Sequence, residues 1–265
     1  MTPDLGEAYA RDGVVRLPGA LDTVALAQAE AAWAWSLANP GPLASRIPSK
    51  NSDAMFYQDL YNPDVLLGYR AMLETSPIPA LLSGLWGGGP CWFMYEQVFL
   101  KEGGEARRTP WHQDSSYLAV AGDQLAVAWI TFDVCSAADS LEFVPGSHRG
   151  RLYNGSRFDV DDDTLPTHPG SSLPVLPDIE AARDQWEVVS FAVQPGDVIV
   201  FHPKVLHGGA PTHPGTRRRT LTLRFFGEDA VYDPREGGAG PRVAGFHDRM
   251  RAGDPFRHPS FLKLV

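Results

Sequence analysis

The alternation of hydrophobic and polar positions changes character near residue 90. Before it, stretches marked by caps and by Pro or Gly stops read as helices. Asp22 is a good N-cap for a helix over 22–38, rich in Ala and Leu and stopped by Pro40-Gly41-Pro42. Pro63 suits the first turn of a second helix over about 64–73, and a third over about 79–85 ends at Gly87-Gly88-Gly89. A turn over 9–13 leads into a short strand at 14–17, and 43–62 is mixed. After residue 90 the pattern is that of strands, at 91–100, 112–117, 125–134, 141–144, 186–193, 198–202 and 218–226. Between them, 150–184 is full of Pro, Gly, Asp and Ser, and a loop of that length is a candidate lid. His207 begins a loop, and the tail from Glu228 has few periodic signals.

Helices first and about eight strands afterwards predict an α+β layout, mainly β with flanking helices packed on a barrel or sandwich. The final strand is the most informative. Arg218, Thr220, Thr222, Arg224 and Phe226 fall on one face, and Arg219, Leu221, Leu223 and Phe225 on the other. The apolar face would pack on another layer. A polar face with two arginines would line a hydrated pocket, which fits a ligand-binding barrel better than a filled one.

Composition narrows the function. The chain of 265 residues is 43% hydrophobic, enough for a sizeable core, and by length one large all-β domain is as plausible as two small ones. A formal charge of −9 argues against a nucleic-acid partner. Two cysteines, Cys91 and Cys135, cannot make a disulfide scaffold or a Cys-rich zinc site. No apolar run is long enough to span a membrane and the first residues are polar, so the expectation is a soluble, cytoplasmic protein.

The candidate chemistry starts at Trp111-His112-Gln113-Asp114. In an extended strand, His112 and Asp114 point to one face and Gln113 to the other. An imidazole and a carboxylate side by side can hold adjacent positions on a metal. A third ligand would complete a two-His-one-carboxylate triad, which leaves three positions open and suits non-haem Fe(II). His207, His202 and His213 are the candidates for the third ligand.

The ordered set Asp12-Gly13 to Gly19, His112-Gln-Asp114, Leu141-Glu-Phe-Val-Pro-Gly-Ser-His148, Pro195-Gly-Asp197, His207-Gly and Arg218 resembles the phytanoyl-CoA dioxygenase family of Fe(II)/2-oxoglutarate-dependent oxygenases. Gly253-Asp-Pro and His258-Pro are similar too, so the resemblance spans nearly the whole chain. It implies a double-stranded β-helix, the jelly-roll or cupin-like barrel, as one domain over 1–265: a helical flank over about 1–90, a core over about 91–226 and the lid at about 150–184. It implies that His112, Asp114 and His207 hold the iron. It implies that Arg218, eleven residues beyond His207, grips the far carboxylate of 2-oxoglutarate, with Gln97, Trp129 and Lys50 as further contacts. It implies O₂ as the second co-substrate. The chain departs from many relatives at Asp139-Ser140 and at Gly209, where some place a hydroxyl that helps bind 2-oxoglutarate. An intact Asp114 favours hydroxylation or desaturation over halogenation. The charge makes a small uncharged or cationic metabolite a better substrate than an acyl-CoA. A cupin-like metalloenzyme without 2-oxoglutarate and an inactive ligand-binding barrel are the rival readings. The sequence does not settle an oligomeric state.

Overall fold

The computed structural model describes residues 4–48, 55–102, 108–159, 161–209, 212–213, 216–235 and 240–265, with the backbone alone at Pro48. Two antiparallel sheets lie face to face. The large one contains β1 (Val14–Leu17), β2 (Ser45–Pro48), β3 (Met55–Leu60), β4 (Trp92–Glu102), β7 (Leu125–Thr131), β10 (Val198–Phe201) and β12 (Arg218–Phe226), in the order β1-β10-β7-β12-β4-β3-β2. The short β14 (Leu262–Lys263) pairs with β4. The small sheet has the order β5-β11-β8-β9, from β5 (Thr109–His112), β8 (Leu141–Val144), β9 (Val189–Ser190) and β11 (Leu206–Gly209). A separate ribbon joins β6 (Val120–Ala121) to β13 (Val231–Tyr232). This is the jelly-roll arrangement expected from the sequence.

Strand alternation decides what each sheet face meets. Ala126, Ala128, Ile130, Val198, Val200, Leu221 and Leu223 face outwards onto the helices, where Ala29, Trp33, Tyr69, Leu73 and Leu82 cover them. These helices are α2 (Thr23–Ala38), α3 (Val65–Thr75) and α4 (Ile78–Leu85). Asp22 caps α2 as the sequence predicts, accepting from the Ala25 amide at 2.8 Å. Pro63 lies just before α3 rather than in its first turn. On the inner face, Val127, Trp129, Ile199 and Phe201 meet Phe143 of the small sheet. Buried Asp197 ties β1 to β10, accepting from the Gly19 and Gln194 amides and pairing with Arg16.

Several elements differ from expectation. Leu5–Asp12 is a helix, α1, where the sequence suggests a turn. It ends on Gly13 at φ 72°, where a Cβ would stand 2.3 Å from the His148 ring, so glycine suits both the left-handed backbone and the close approach. The mixed 43–62 stretch supplies two edge strands. The strand expected over 112–117 stops at His112, and Asp114–Tyr117 is a turn of 3₁₀ helix. His207 lies in strand β11, not in a loop, because its backbone pairs with β5 and β8 on either side. The strand expected over 186–193 reduces to β9. Cys91 and Cys135 are both free and buried.

The tail, irregular in the sequence, closes a second core. Phe256 is fully buried, with ring centroids 5.1 Å from Phe226, 5.0 Å from Phe246 and 5.2 Å from Phe261. Phe246 opens the single-turn helix α5 (Phe246–Arg249). Phe256→Ala should therefore cost about 3–5 kcal/mol, the usual range for emptying a packed aromatic site. Denaturant midpoints with matched m-values measure this, and a loss below about 1 kcal/mol would show a tail that does not pack on the barrel.

Candidate metal centre

β5 and β11 are adjacent antiparallel strands, and His112 and His207 are direct partners in their register. The pairing sets the two imidazoles side by side, ring centroids 4.1 Å apart. Asp114 follows one extended residue later, since Gln113 keeps strand-like angles (φ −123°, ψ 121°). His112 and Asp114 thus share a side although the strand has ended. Asp114 Oδ1 lies 3.4 Å from His112 Nε2 and 3.8 Å from His207 Nε2. Ligand atoms of all three residues lie within 4.8 Å of one another, and all three side chains are buried.

Each imidazole is set in one tautomer. His112 Nδ1 is 2.8 Å from the Pro110 carbonyl, and His207 Nδ1 is 3.0 Å from the Val205 carbonyl. A carbonyl only accepts, so both Nδ1 atoms carry a proton, and the two Nε2 atoms are the ones turned to Asp114 Oδ1. Burial pulls the His207 imidazole down to about 3, with the neighbouring His112 adding to the effect. Burial alone would raise the Asp114 carboxyl, but the charge of Arg224 and contacts with the two histidines hold it well below the usual carboxylate range. His207 is therefore a neutral imidazole beside the Asp114 carboxylate, with His112 Nε2 turned to the same carboxylate oxygen. That donor set fits a divalent transition metal held on one side, with positions left for other ligands.

The remaining predicted residues are less closely gathered. Trp129 stands in the apolar cluster of Phe143, Ile199 and Phe201, and the Phe201 ring is 4.6 Å from His207. Gln97 pairs across the sheet with Thr222 and accepts from Arg224 Nη2 at 2.9 Å. Arg218 is buried at the far end of the same β12 face, where its guanidinium donates to the Asp139 carbonyl. Burial lowers its pKa. Lys50 lies outside the described residues. His202 bonds the Gly122 carbonyl at 3.0 Å and His213 approaches Asp139, so neither joins the cluster. The basic run divides: Arg217 is exposed, whereas Arg219 is held by Asp133 and Glu30 on the helix side.

Three contributors are not evident from the chain alone. Arg224 donates to Asp114 Oδ2 through Nη2 at 2.8 Å and Nε at 3.2 Å. Its place on the polar face of 218–226 is the only advance signal. Gln113, turned away from the site, accepts from the Tyr153 amide at 2.9 Å and donates to the Lys204 carbonyl at 2.8 Å. Phe158 sets its ring edge-on to His112 at 5.1 Å, from a backbone at φ 57° that side chains rarely adopt. Its amide bonds Ser156 Oγ, and the Ser156 carbonyl accepts from the Tyr117 hydroxyl.

A family model described as phytanoyl-CoA dioxygenase (PhyH) matches residues 9–220, well over half of the chain. A probable alpha-ketoglutarate-dependent hypophosphite dioxygenase of Stutzerimonas stutzeri is 27% identical over 121 residues, 45% of this chain and 40% of that protein. The L-proline trans-4-hydroxylase of Streptomyces griseoviridis is 27% identical over 148 residues, 52% of this chain and 55% of that protein. These two matches span about half of the relatives' lengths, 40% and 55%. Among solved structures, the epimerase SnoN in complex with Fe3+, alpha ketoglutarate and nogalamycin RO has a TM-score of 0.69 at 20% identity, covering 98% of this chain and 97% of that one. EctD from S. alaskensis has a TM-score of 0.64 at 17% identity, covering 91% and 82%. At these identities the likeness is one of fold.

Two outcomes follow from the site. His112→Ala and His207→Ala should each lose stoichiometric Fe(II), measured as metal content after equilibration, while His202→Ala should retain it. Metal held normally by His207→Ala would remove His207 from the ligand set. The second concerns acid stability. Burial depresses His202 from 6.5 to about 4. Below about pH 6.5 the unfolded chain takes up a proton that the folded one refuses. This residue's contribution therefore falls as pH drops from about 6.5 towards about 4, by up to about 1.36 kcal/mol per pH unit. His202→Gln should flatten that part of the stability profile, and an unchanged slope would assign the loss elsewhere.

Proposed function

The chain belongs to the phytanoyl-CoA dioxygenase family, and from that premise we propose that it is an Fe(II)/2-oxoglutarate-dependent oxygenase that hydroxylates an unactivated C–H of a small-molecule metabolite. The observation that carries this reading is the convergence of His112, Asp114 and His207, with both Nε2 atoms and one carboxylate oxygen turned to a common point. Iron with 2-oxoglutarate supplies an O₂-dependent oxidation in which the oxo acid leaves as succinate and CO₂ while the substrate gains a hydroxyl. The chain's own residues supply geometry and dryness. His112, Asp114 and His207 hold the metal. Arg218, buried at the far end of the β12 face, takes the far carboxylate of 2-oxoglutarate. Trp129, Phe143 and Phe201 keep water from the space between them. Gln97 and Lys50 are assigned to the same co-substrate on the family resemblance.

The segment 150–184 has two parts in this reading. Leu176 and Ile179 are buried against Trp111, Val144 and Leu206, on the outer face of the small sheet. That part is cover. The stretch from Tyr153 to Phe158 reaches the metal centre through Gln113, Tyr117 and His112. That part acts as the lid, closing over the substrate. A small metabolite fits relatives named for hypophosphite and L-proline. A net charge of −9 makes an acyl-CoA the poorer choice.

Succinate formation from 2-oxoglutarate, dependent on Fe(II) and stimulated by one member of a metabolite library, tests the activity. Turnover of a metabolite without succinate would favour a cupin-like enzyme that does not use the oxo acid. Arg218→Ala should raise the KM for 2-oxoglutarate roughly 30-fold or more. Losing one partner of a desolvated charge pair costs about 2–5 kcal/mol, and about 1.4 kcal/mol is a decade. Arg219→Ala should lower stability and leave that KM unchanged. The reverse pattern would place the co-substrate on the other face of β12.

A further inference from the structure

We infer that Arg224 is the positioning residue of the metal centre: its two-bond grip on Asp114 Oδ2 keeps this carboxylate a one-oxygen ligand and so preserves room beside the metal for a chelating co-substrate. The inference rests on the proposed metal centre and goes beyond it. A free carboxylate can offer a metal both oxygens. Here the two oxygens are divided. Oδ1 faces both Nε2 atoms, at 3.4 and 3.8 Å. Oδ2 accepts Nη2 at 2.8 Å and Nε at 3.2 Å from Arg224, the planar fork that a guanidinium offers a carboxylate.

The guanidinium is itself held from several sides. Nη2 also donates to Gln97 Oε1 at 2.9 Å, and Nη1 donates to Thr222 Oγ1 at 3.3 Å. Its carbon stands 4.6 Å over the Tyr95 ring, and Tyr61 stacks behind Tyr95 at 4.0 Å. Arg224 and Asp114 are both buried, so solvent does not loosen the pair. A cation beside a metal site opposes metal binding electrostatically. What the guanidinium contributes instead is the direction of the carboxylate.

The experiment uses Co(II) as the metal probe, because its d–d absorption weakens as coordination number rises, and 2-oxoglutarate as the co-substrate. Arg224→Met removes the fork and frees Oδ2. It should bind Co(II) at least as tightly as the wild type, show a weaker absorption band, and bind 2-oxoglutarate about tenfold or more weakly, the low end of what groups supporting a metal ligand contribute. Arg224→Lys keeps a charged donor in place of the fork, guards against a variant that does not fold, and should move in the same direction by less. A merely structural role would lower thermal stability and metal affinity together and leave the band of the metal-bound fraction unchanged. That pattern, or an unchanged band with unchanged 2-oxoglutarate affinity in both variants, overturns the positioning role. If the wild type takes up no Co(II), or His207→Ala takes it up equally well, the metal centre itself is refuted, and with it this inference.

Discussion

A carboxylate shut away from water is the constraint on which the rest of this structure turns. Asp114 is only 7% exposed, and a buried charge of that kind survives only with a partner and hydrogen bonds. Its partner is Arg224, 110 residues later in the chain. To bring them together, β12 must sit between β4 and β7 in the large sheet while β5 lies beside β11 in the small one. The two sheets must then face each other at the depth of a side chain. The ion pair thus depends on the whole sandwich. A pair that is costly to leave half-made also penalises registers that would separate its members.

The same sandwich explains how one strand serves two environments. Along β12, Leu221, Leu223 and Phe225 enter the helix-covered core while Thr220, Thr222 and Arg224 turn inwards. Neighbouring arginines acquire different roles from this alternation alone. Arg219 joins Asp133 and Glu30 beneath the helices, and Arg218 is buried on the side that leads to the metal centre. Backbone carbonyls complete the arrangement. Those of Pro110 and Val205 each take an imidazole proton, so the strands that place the histidines also orient their Nε2 atoms.

The segment after β8 is irregular because its hydrogen bonds go to side chains and to isolated bridges within the segment rather than to a continuous ladder. Gln113 binds the Tyr153 amide, Asn154 binds the His168 carbonyl, and Ser156 receives the Tyr117 hydroxyl. Gly155 passes so near Tyr117 that a Cβ would stand 2.5 Å from its hydroxyl oxygen. These local ties hold Phe158 over His112 in a backbone conformation that costs free energy.

Read alone, the chain determined whatever is written over a few neighbouring residues. The capped helix beginning at Asp22, the two-faced strand over 218–226 and the shared side of His112 and Asp114 follow from turn chemistry and alternation, and the structure contains all three. Tertiary structure decided what depends on partners distant in sequence. It selected His207 over His202 and His213, because only residue 207 is paired with His112 across adjacent strands. It made 206–209 a strand, since edges on both sides were waiting for its backbone. It ended β5 at His112, where the Ser115 amide finds the Pro203 carbonyl instead of a ladder partner. It turned Arg224 from one more polar residue into the countercharge of Asp114. Alternation assigns a side chain to a face, but only the packing of two sheets determines which charge that face will meet.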